Sequence, residues 1–113
     1  MRTDKTNLLP NAATQQAHEL GERMARLRMA RSVKQSEAAI RAGLSRNTAY
    51  RLESGDPGLA VGQILRYLDA IAPGMTLKDL LNETDPSLLA LAASERKQRV
   101  RGLTAKERKE LDF

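Results

Sequence analysis

The sequence predicts an all-α fold built as one domain with tails. Along most of the 113 residues, apolar side chains recur at intervals of three and four, which is the period of one face of an α-helix. No stretch alternates apolar and polar residues over several positions, and the β-branched and aromatic residues that favour strands are scattered. A chain of this length does not build a second sizeable core.

The first helix is predicted from Thr14 to about Arg31. One of its faces is marked by apolar residues spaced four and three apart, namely Leu20, Met24 and Leu27. Residues 1–13, which include Pro10, are interpreted as a flexible N-terminal arm or a helical extension of this first helix.

Two short helices are expected next. The second begins around Lys34 and ends at Gly43, a residue type that terminates helices. Ser45 is predicted to cap the third helix, because its hydroxyl can accept a hydrogen bond from the first backbone amides. The inner faces of the two helices are formed by Ala38, Ala39, Ala42, Ala49 and Leu52.

The third helix is expected to end before residues 54–58, Ser-Gly-Asp-Pro-Gly, because Gly supplies unusual backbone angles and Pro cannot continue a helix. A fourth helix follows and stops at Pro73-Gly74. Its periodic apolar residues are Val61, Ile64, Leu65, Leu68 and Ile71. Thr76 is predicted to cap a short fifth helix that carries Leu77, Leu80 and Leu81.

Asp85-Pro86 predicts the start of a further helix, as an N-cap residue followed by a first-turn proline. Gly102 is expected to break that helix, and Thr104 to Glu107 fit the capping box of a final short helix with apolar Leu111 and Phe113. The predicted organisation is an arm over residues 1–13, a helical domain over 14–82 and a helical, basic extension over 83–113.

The charge balance points to a polyanionic partner, since the formal net charge is +5 and the pI is near 10.0. Residues 18–54 carry eight basic and four acidic side chains, residues 94–113 carry seven and four, and the residues between them are net acidic. A membrane-surface protein would need bulky aromatic residues beside the basic ones, and the chain has only Tyr50, Tyr67 and Phe113. Nucleic acid is therefore the better candidate partner.

Several other function classes find no support. Without cysteine there is no disulfide framework, thiolate metal site or cysteine nucleophile. His18 has no second ligand at metal-binding spacing, the serines have no partner base, and Gly55 to Gly58 lacks the lysine of a phosphate loop. No apolar run approaches the roughly 18–20 residues of a membrane span or forms a signal peptide. The sequence predicts a cytosolic protein that is not an enzyme and uses no metal or cofactor.

The second and third helices, joined at Gly43, have the form of a helix-turn-helix. In this motif the third helix presents its N-terminal side chains to base edges in the major groove of DNA. Burial of the inner face of that helix turns four side chains outward, namely Arg46, Asn47, Tyr50 and Arg51.

Four segments carry a family resemblance: Leu20-Gly-Glu-Arg-Met-Ala-Arg-Leu27, Lys34-Gln-Ser-Glu-Ala-Ala39, Ala42-Gly-Leu-Ser-Arg46 and Arg51-Leu-Glu-Ser-Gly55. Together they make residues 20–81, a little over half of the chain, resemble the phage-repressor family of Cro and lambda-repressor-like (XRE) helix-turn-helix proteins. The resemblance implies a five-helix lambda-repressor-like bundle whose third helix contacts double-stranded DNA. The extension from Asp85 onward matches nothing in that family.

The resemblance also implies roles for single residues. Gln35 matches a family glutamine that bonds a phosphate and braces the first recognition-helix side chain, the alternative being a solvated helix-start residue. Arg46, Asn47 and Arg51 match base-contacting positions, and their chemistry agrees, because Arg pairs with guanine and Asn with adenine. An ordinary solvated face is the alternative for these three.

Tyr50 is expected either to stack on a sugar or touch a thymine methyl, or to pack on its own helix. Ser45 is a cap first and a phosphate ligand second. Arg28 and Glu53 match a largely buried ion pair of the family, which is a structural role. Further arginines and a lysine are candidates for contacts to the DNA backbone, namely Arg23, Arg26, Arg31 and Lys34.

The leading hypothesis is a sequence-specific transcriptional regulator, a repressor, that is associated with the bacterial nucleoid or encoded by a phage. A single recognition helix specifies only about four base pairs, so a homodimer on a palindromic operator with half-sites about 34 Å apart is expected. The dimer surface is left open between residues 59–72 and residues 88–91, and the latter helix is alternatively a cover for its own core.

The turn at residues 55–58, followed by residues 59–68, is similar to a branch that includes the antitoxins of kinase toxin pairs. The alternative function is therefore an antitoxin whose residues 83–113 neutralise a toxin or another protein partner, while DNA binding autoregulates its operon. An adaptor without DNA binding remains open, as does a basic tail that holds flanking phosphates.

Overall fold

The computed structural model describes residues 9–82 and 85–111, with their side chains up to residue 100. Within those residues the chain forms six helices and no strand: α1 Asn11–Ala30, α2 Gln35–Ala42, α3 Arg46–Glu53, α4 Val61–Ile71, α5 Leu77–Asn82 and α6 Pro86–Leu111. The predicted all-α class is confirmed, with five helices forming a bundle and α6 as the C-terminal extension.

The core lies where α1 and α4 meet the α2–α3 pair. Every inner residue predicted for α1, α2 and α3 is buried or partly buried in it, and nine side chains have almost no exposed surface: Met24, Leu27, Ala38, Ala39, Ala49, Tyr67, Leu68, Ala72 and Leu80. The buried face of α4 differs from the prediction. Tyr67 is completely buried, whereas Val61 is 67% exposed and Leu65 is 45% exposed.

Local capping positions the helices as predicted. Gly43 adopts a left-handed conformation, with φ 69°, and closes α2. The hydroxyl of Ser45 accepts the amide of Thr48 at 3.0 Å and starts α3. The hydroxyl of Thr76 likewise accepts the amide of Asp79 at 3.1 Å and starts α5. The chain direction into and out of α3 is therefore set by residues within a few positions of its ends.

Two predicted boundaries differ from the structure. α1 starts at Asn11 rather than Thr14, because the carbonyl of Pro10 accepts the amides of Ala13 and Thr14 and so begins the helical ladder early. The break predicted at Gly102 and the separate final helix from Thr104 are wrong, since α6 runs without interruption for 26 residues. A glycine inside a helix costs about 1 kcal/mol relative to alanine but keeps its N–H, so the helix passes through it. The roles predicted for the side chains of Leu111 and Phe113, and for residues 1–8, lie outside the described part of the chain.

α1 separates α3 from α6. Gly21 lies against the backbone at the end of α3, where its missing Cβ would be 2.7 Å from the carbonyl oxygen of Glu53. Arg26 points the other way and bonds Glu95 of α6 through two contacts, at 2.7 and 3.2 Å. Five residues advance about 140° around an α-helix. α6 is therefore placed on the side of α1 that faces away from α3.

The arginines on α1 and directly after it that were proposed to contact the DNA backbone are engaged within the protein. Arg23 donates to the carbonyl of Leu81 at 3.0 Å, at the end of α5. Arg31 donates to Asp85 at 2.6 Å, at the start of α6. With the Arg26 pair, these contacts attach the last two helices to α1.

Asp85 is the buried acid that begins α6. Its carboxylate accepts the side chain of Arg31, and it also accepts the amide of Ser87 at 3.0 Å together with the Ser87 hydroxyl. Burial by itself raises the pKa of a carboxyl, but the hydrogen bonds from Ser87 and Arg31 outweigh it and hold the pKa of Asp85 below its usual range.

Asp85→Ala is expected to lower the free energy of unfolding by about 1 kcal/mol or more at neutral pH, which is the usual loss of an N-cap. Because the folded pKa lies below the unfolded value of about 3.9, the carboxylate stabilises the fold above that value and its contribution is lost as pH falls through the folded pKa. Urea unfolding at about pH 7, 5 and 3 measures this. A difference between variant and wild type that stayed constant over that range would contradict the prediction.

Candidate nucleic-acid interface

The start of α3 is held in place by Ser45 and by its own buried residues. The Ser45 hydroxyl accepts the Thr48 amide and donates to the Thr48 hydroxyl at 2.8 Å. On the inner face of the helix, Ala49 is fully buried and Leu52 is 5% exposed. These contacts leave the opposite face of α3 directed away from the bundle.

Three of the four predicted contact residues on this outward face are exposed, namely Arg46, Asn47 and Tyr50. Within the described residues, the side chains of Arg46 and Asn47 take part in no hydrogen bond or ion pair. An arginine offers a planar set of five N–H donors, and an asparagine amide both donates and accepts. The N-terminal turn of α3 therefore presents donors and an acceptor to solvent.

Arg51, the fourth of these residues, is held by an acid of the following loop. Its Nε donates to Oδ2 of Asp56 at 2.7 Å, and its side chain is 42% exposed. The other oxygen of Asp56 accepts the amide of Gly58 at 2.8 Å, so the carboxylate closes the loop and binds the guanidinium at once. The Gly58 amide and the Arg51 guanidinium hold the pKa of Asp56 below its usual range, which keeps it ionised.

Gln35 is the first residue of α2 and is partly buried. Lys34 precedes it in an extended conformation and makes no side-chain capping bond. The first backbone N–H groups of every α-helix lack an intrahelical partner, and in α2 the Lys34 side chain does not supply one. Together with the helix dipole, they make this end of α2 favourable for negative charge.

A hydrogen-bonded cluster supports α3 from behind. Arg28 of α1 donates to both oxygens of Glu53, at 2.7 and 2.9 Å, and also to the carbonyl of Val33 at 2.9 Å. The hydroxyl of Tyr67, from α4, donates to the same Glu53 carboxylate. Burial and the Glu53 carboxylate raise the pKa of Tyr67, so the phenol remains a donor, and the bond to Glu53 raises the pKa of Arg28. The ion pair that the resemblance implied thus joins α1 and α3, and the Tyr67 hydroxyl attaches α4 to it.

Asp56 and Tyr67 have structural roles at this site that sequence reasoning missed. For Asp56 the available signal was an acidic residue two positions before Gly58, which is the pattern of an Asx turn. For Tyr67 it was the spacing of three and four residues from Ile64 and Ile71, which places it on the inner face of α4.

Neither a metal site nor a membrane span is found in the described part of the chain. No group of three or more histidine, cysteine or acidic side chains there is arranged to hold a metal ion. None of the helices described combines the length and the hydropathy needed to cross a bilayer.

The chain was compared with models of known protein families. Residues 19–80 fit the model of a helix-turn-helix domain of the XRE and Cro-like type, over a little more than half of the chain. The matched segment differs by one residue at each end from the segment of family resemblance in the sequence. No curated protein and no solved structure matches the chain.

Proposed function

Because this chain belongs to the helix-turn-helix family of DNA-binding domains, we propose that it is a sequence-specific transcriptional repressor whose Arg46 and Asn47 contact base edges. The observation that carries this proposal is a pair of exposed side chains on the first turn of a capped, firmly packed helix, neither of which has a partner among the described residues. Gln35, Ser45 and Tyr50 are assigned to phosphate and sugar contacts around them. The function is binding, without a chemical step.

Arg46→Ala and Asn47→Ala are each expected to weaken specific DNA binding by roughly 5- to 150-fold, the cost of about 1–3 kcal/mol for one lost base contact. The wild-type protein first selects its preferred duplex from a random library. Fluorescence anisotropy across a salt series then compares that duplex with a scrambled one, for which we expect at least about a thousandfold weaker binding.

Lys78→Ala is the matched control for the DNA-binding variants. Lys78 is an exposed cation on α5, a helix that Arg23 of α1 bonds at Leu81, so its removal changes the charge outside α3. The control is expected to keep the wild-type preference. Binding that is weak, steep in salt and equal for both duplexes and all variants would end the proposal of a sequence-specific repressor.

We further propose that two copies bind two half-sites of a palindromic operator, since one recognition helix covers too few base pairs for tight specific binding. Three exposed apolar residues support two candidate dimer faces, Val61 with Leu65 on α4 and Leu89 on α6, whereas Leu88 is buried in the protein's own core. We expect the selected duplexes to contain inverted repeats. We also expect sedimentation to give the mass of a complex that contains two protein chains. One protein on an unrepeated motif would contradict dimeric binding.

The second candidate function is that of an antitoxin, with α6 binding a protein partner. It is favoured by the outward face of α6, where exposed Leu89 and Val100 are accompanied by Arg96, Lys97 and Arg99. The competing role for these cations is contact with flanking phosphates. Replacing all three with glutamine separates the two, because each lost phosphate contact flattens the salt dependence of DNA binding by about 0.9 in log-log slope. An unchanged slope favours a protein partner.

A further inference from the structure

Asp56 reaches two parts of the interface at once. Its Oδ1 accepts the Gly58 amide at 2.8 Å, and its Oδ2 accepts Nε of Arg51 at 2.7 Å. The first bond closes the loop between α3 and α4, a task that an asparagine side chain performs equally well. The second bond is specific to a carboxylate that faces an arginine, and loop closure does not require it.

The bond at Nε leaves the far end of Arg51 available. Arg51 follows Asn47 by four residues, so the two side chains lie on the same face of α3. Its side chain is 42% exposed, and no hydrogen bond within the described residues uses its two Nη groups. Since the guanidinium is planar, fixing Nε against a carboxylate also fixes the plane in which the Nη donors lie.

We infer that Asp56 is a positioning residue for DNA recognition, which holds Arg51 so that its Nη groups present a preformed pair of donors to the nucleic acid. The inference rests on the proposed function and adds a residue outside α3 to the specificity of the same site. An unrestrained arginine loses much side-chain freedom when it is ordered on binding. Arg51 has already lost part of that freedom in the unbound protein, so binding orders less.

The charge of the Asp56 carboxylate also affects nonspecific DNA binding. A negative charge close to the interface repels DNA phosphates, whatever the base sequence. Removing that charge is therefore expected to strengthen binding to a scrambled duplex while it weakens binding to the preferred one. A merely structural role in the loop predicts that both affinities change in the same direction.

Asp56→Asn tests the inference, because the amide retains an oxygen for the Gly58 amide and removes the charge that holds Arg51. Binding is measured to the duplex that the wild-type protein selects from a random library and to a scrambled duplex. We expect about tenfold weaker binding to the selected duplex, and less than about twofold further change when Asp56→Asn is added to Arg51→Ala. Equal losses with and without Arg51, or no loss at all, would overturn the inference.

Asp69→Asn is the matched control. Asp69 also accepts a glycine amide, that of Gly74 at 3.2 Å, but it holds no arginine among the described residues. The Asp69→Asn variant is expected to bind the selected and the scrambled duplex as tightly as the wild type does. If the wild-type protein selects no duplex from the library, the proposed function itself fails, which is a different result from a failed Asp56 cycle.

Arg51→Lys changes the other partner of the Arg51–Asp56 bond. It is the substitute test if Asp56→Asn does not fold. Lysine keeps the positive charge but has no planar set of donors. About tenfold weaker binding to the selected duplex with an unchanged salt slope is expected. A lysine variant that binds as tightly as the wild type would overturn the inference.

Discussion

Gly21→Ala is expected to destabilise the protein by about 3 kcal/mol or more, whereas Gly62→Ala is expected to stabilise it by about 0.5–1 kcal/mol. Both glycines lie inside helices, where alanine is intrinsically the better residue by about 1 kcal/mol. Helix propensity therefore predicts a gain at both positions. Packing predicts opposite signs.

The difference lies in what an added Cβ meets. At Gly21 it would be 2.7 Å from the carbonyl oxygen of Glu53, 2.7 Å from the nitrogen of Gly55 and 2.8 Å from the carbonyl oxygen of Leu52. All three are backbone atoms at the end of α3, so relief requires α1 and α3 to move apart. At Gly62 no described atom outside the glycine's chain neighbours and its own helix backbone lies within 4 Å of the new atom.

Urea unfolding followed by circular dichroism measures both variants against the wild type. Because α3 carries the proposed base contacts, Gly21→Ala is also expected to weaken binding to the selected duplex. Gly62→Ala should bind as the wild type does. If Gly21→Ala were as stable as Gly62→Ala, the close crossing of α1 over α3 would be wrong.

The sequence predicted those features that depend on neighbours along the chain. Ser45, Thr76 and Asp85 start helices through bonds to amides two or three residues ahead, and Gly43 ends α2 with a left-handed turn, so each signal is complete within a few residues. Ser32 is the local exception. It adopts φ 58° after α1, although residues other than glycine rarely adopt a positive φ, so nothing in the sequence indicates this turn.

Features that join distant segments were not predictable in the same way. The contact of Gly21 with the end of α3 and the Arg26–Glu95 pair both depend on how helices cross. Their partners lie more than thirty residues away, and nothing in the local spacing selects them. For α3, the outward face followed from helical periodicity, but the hold of Asp56 on Arg51 depends on the path of the loop. The sequence was therefore enough to name the candidate contact residues on α3, but it did not predict the bond that holds Arg51 in place.

Arg28→Met is expected to destabilise the protein by about 3–5 kcal/mol, because it leaves the buried carboxylate of Glu53 without its cation. The Glu53 side chain is 8% exposed, and it accepts two bonds from Arg28 and one from Tyr67. Tyr67→Phe removes only the phenol donor and leaves the ion pair, so a smaller loss of about 1–2 kcal/mol is expected.

Two further variants separate an unpaired buried charge from lost packing. Arg41→Met breaks the surface pair with Glu37 on α2, whose side chains are about half exposed, and is expected to change stability by less than about 0.5 kcal/mol. Arg28→Met combined with Glu53→Leu removes both charges and is expected to recover much of the single-variant loss, because no charge remains buried without a partner. Guanidinium unfolding curves of the four variants and of the wild type decide this. A double variant no more stable than Arg28→Met would assign the loss to packing and to the Val33 carbonyl that Arg28 also binds.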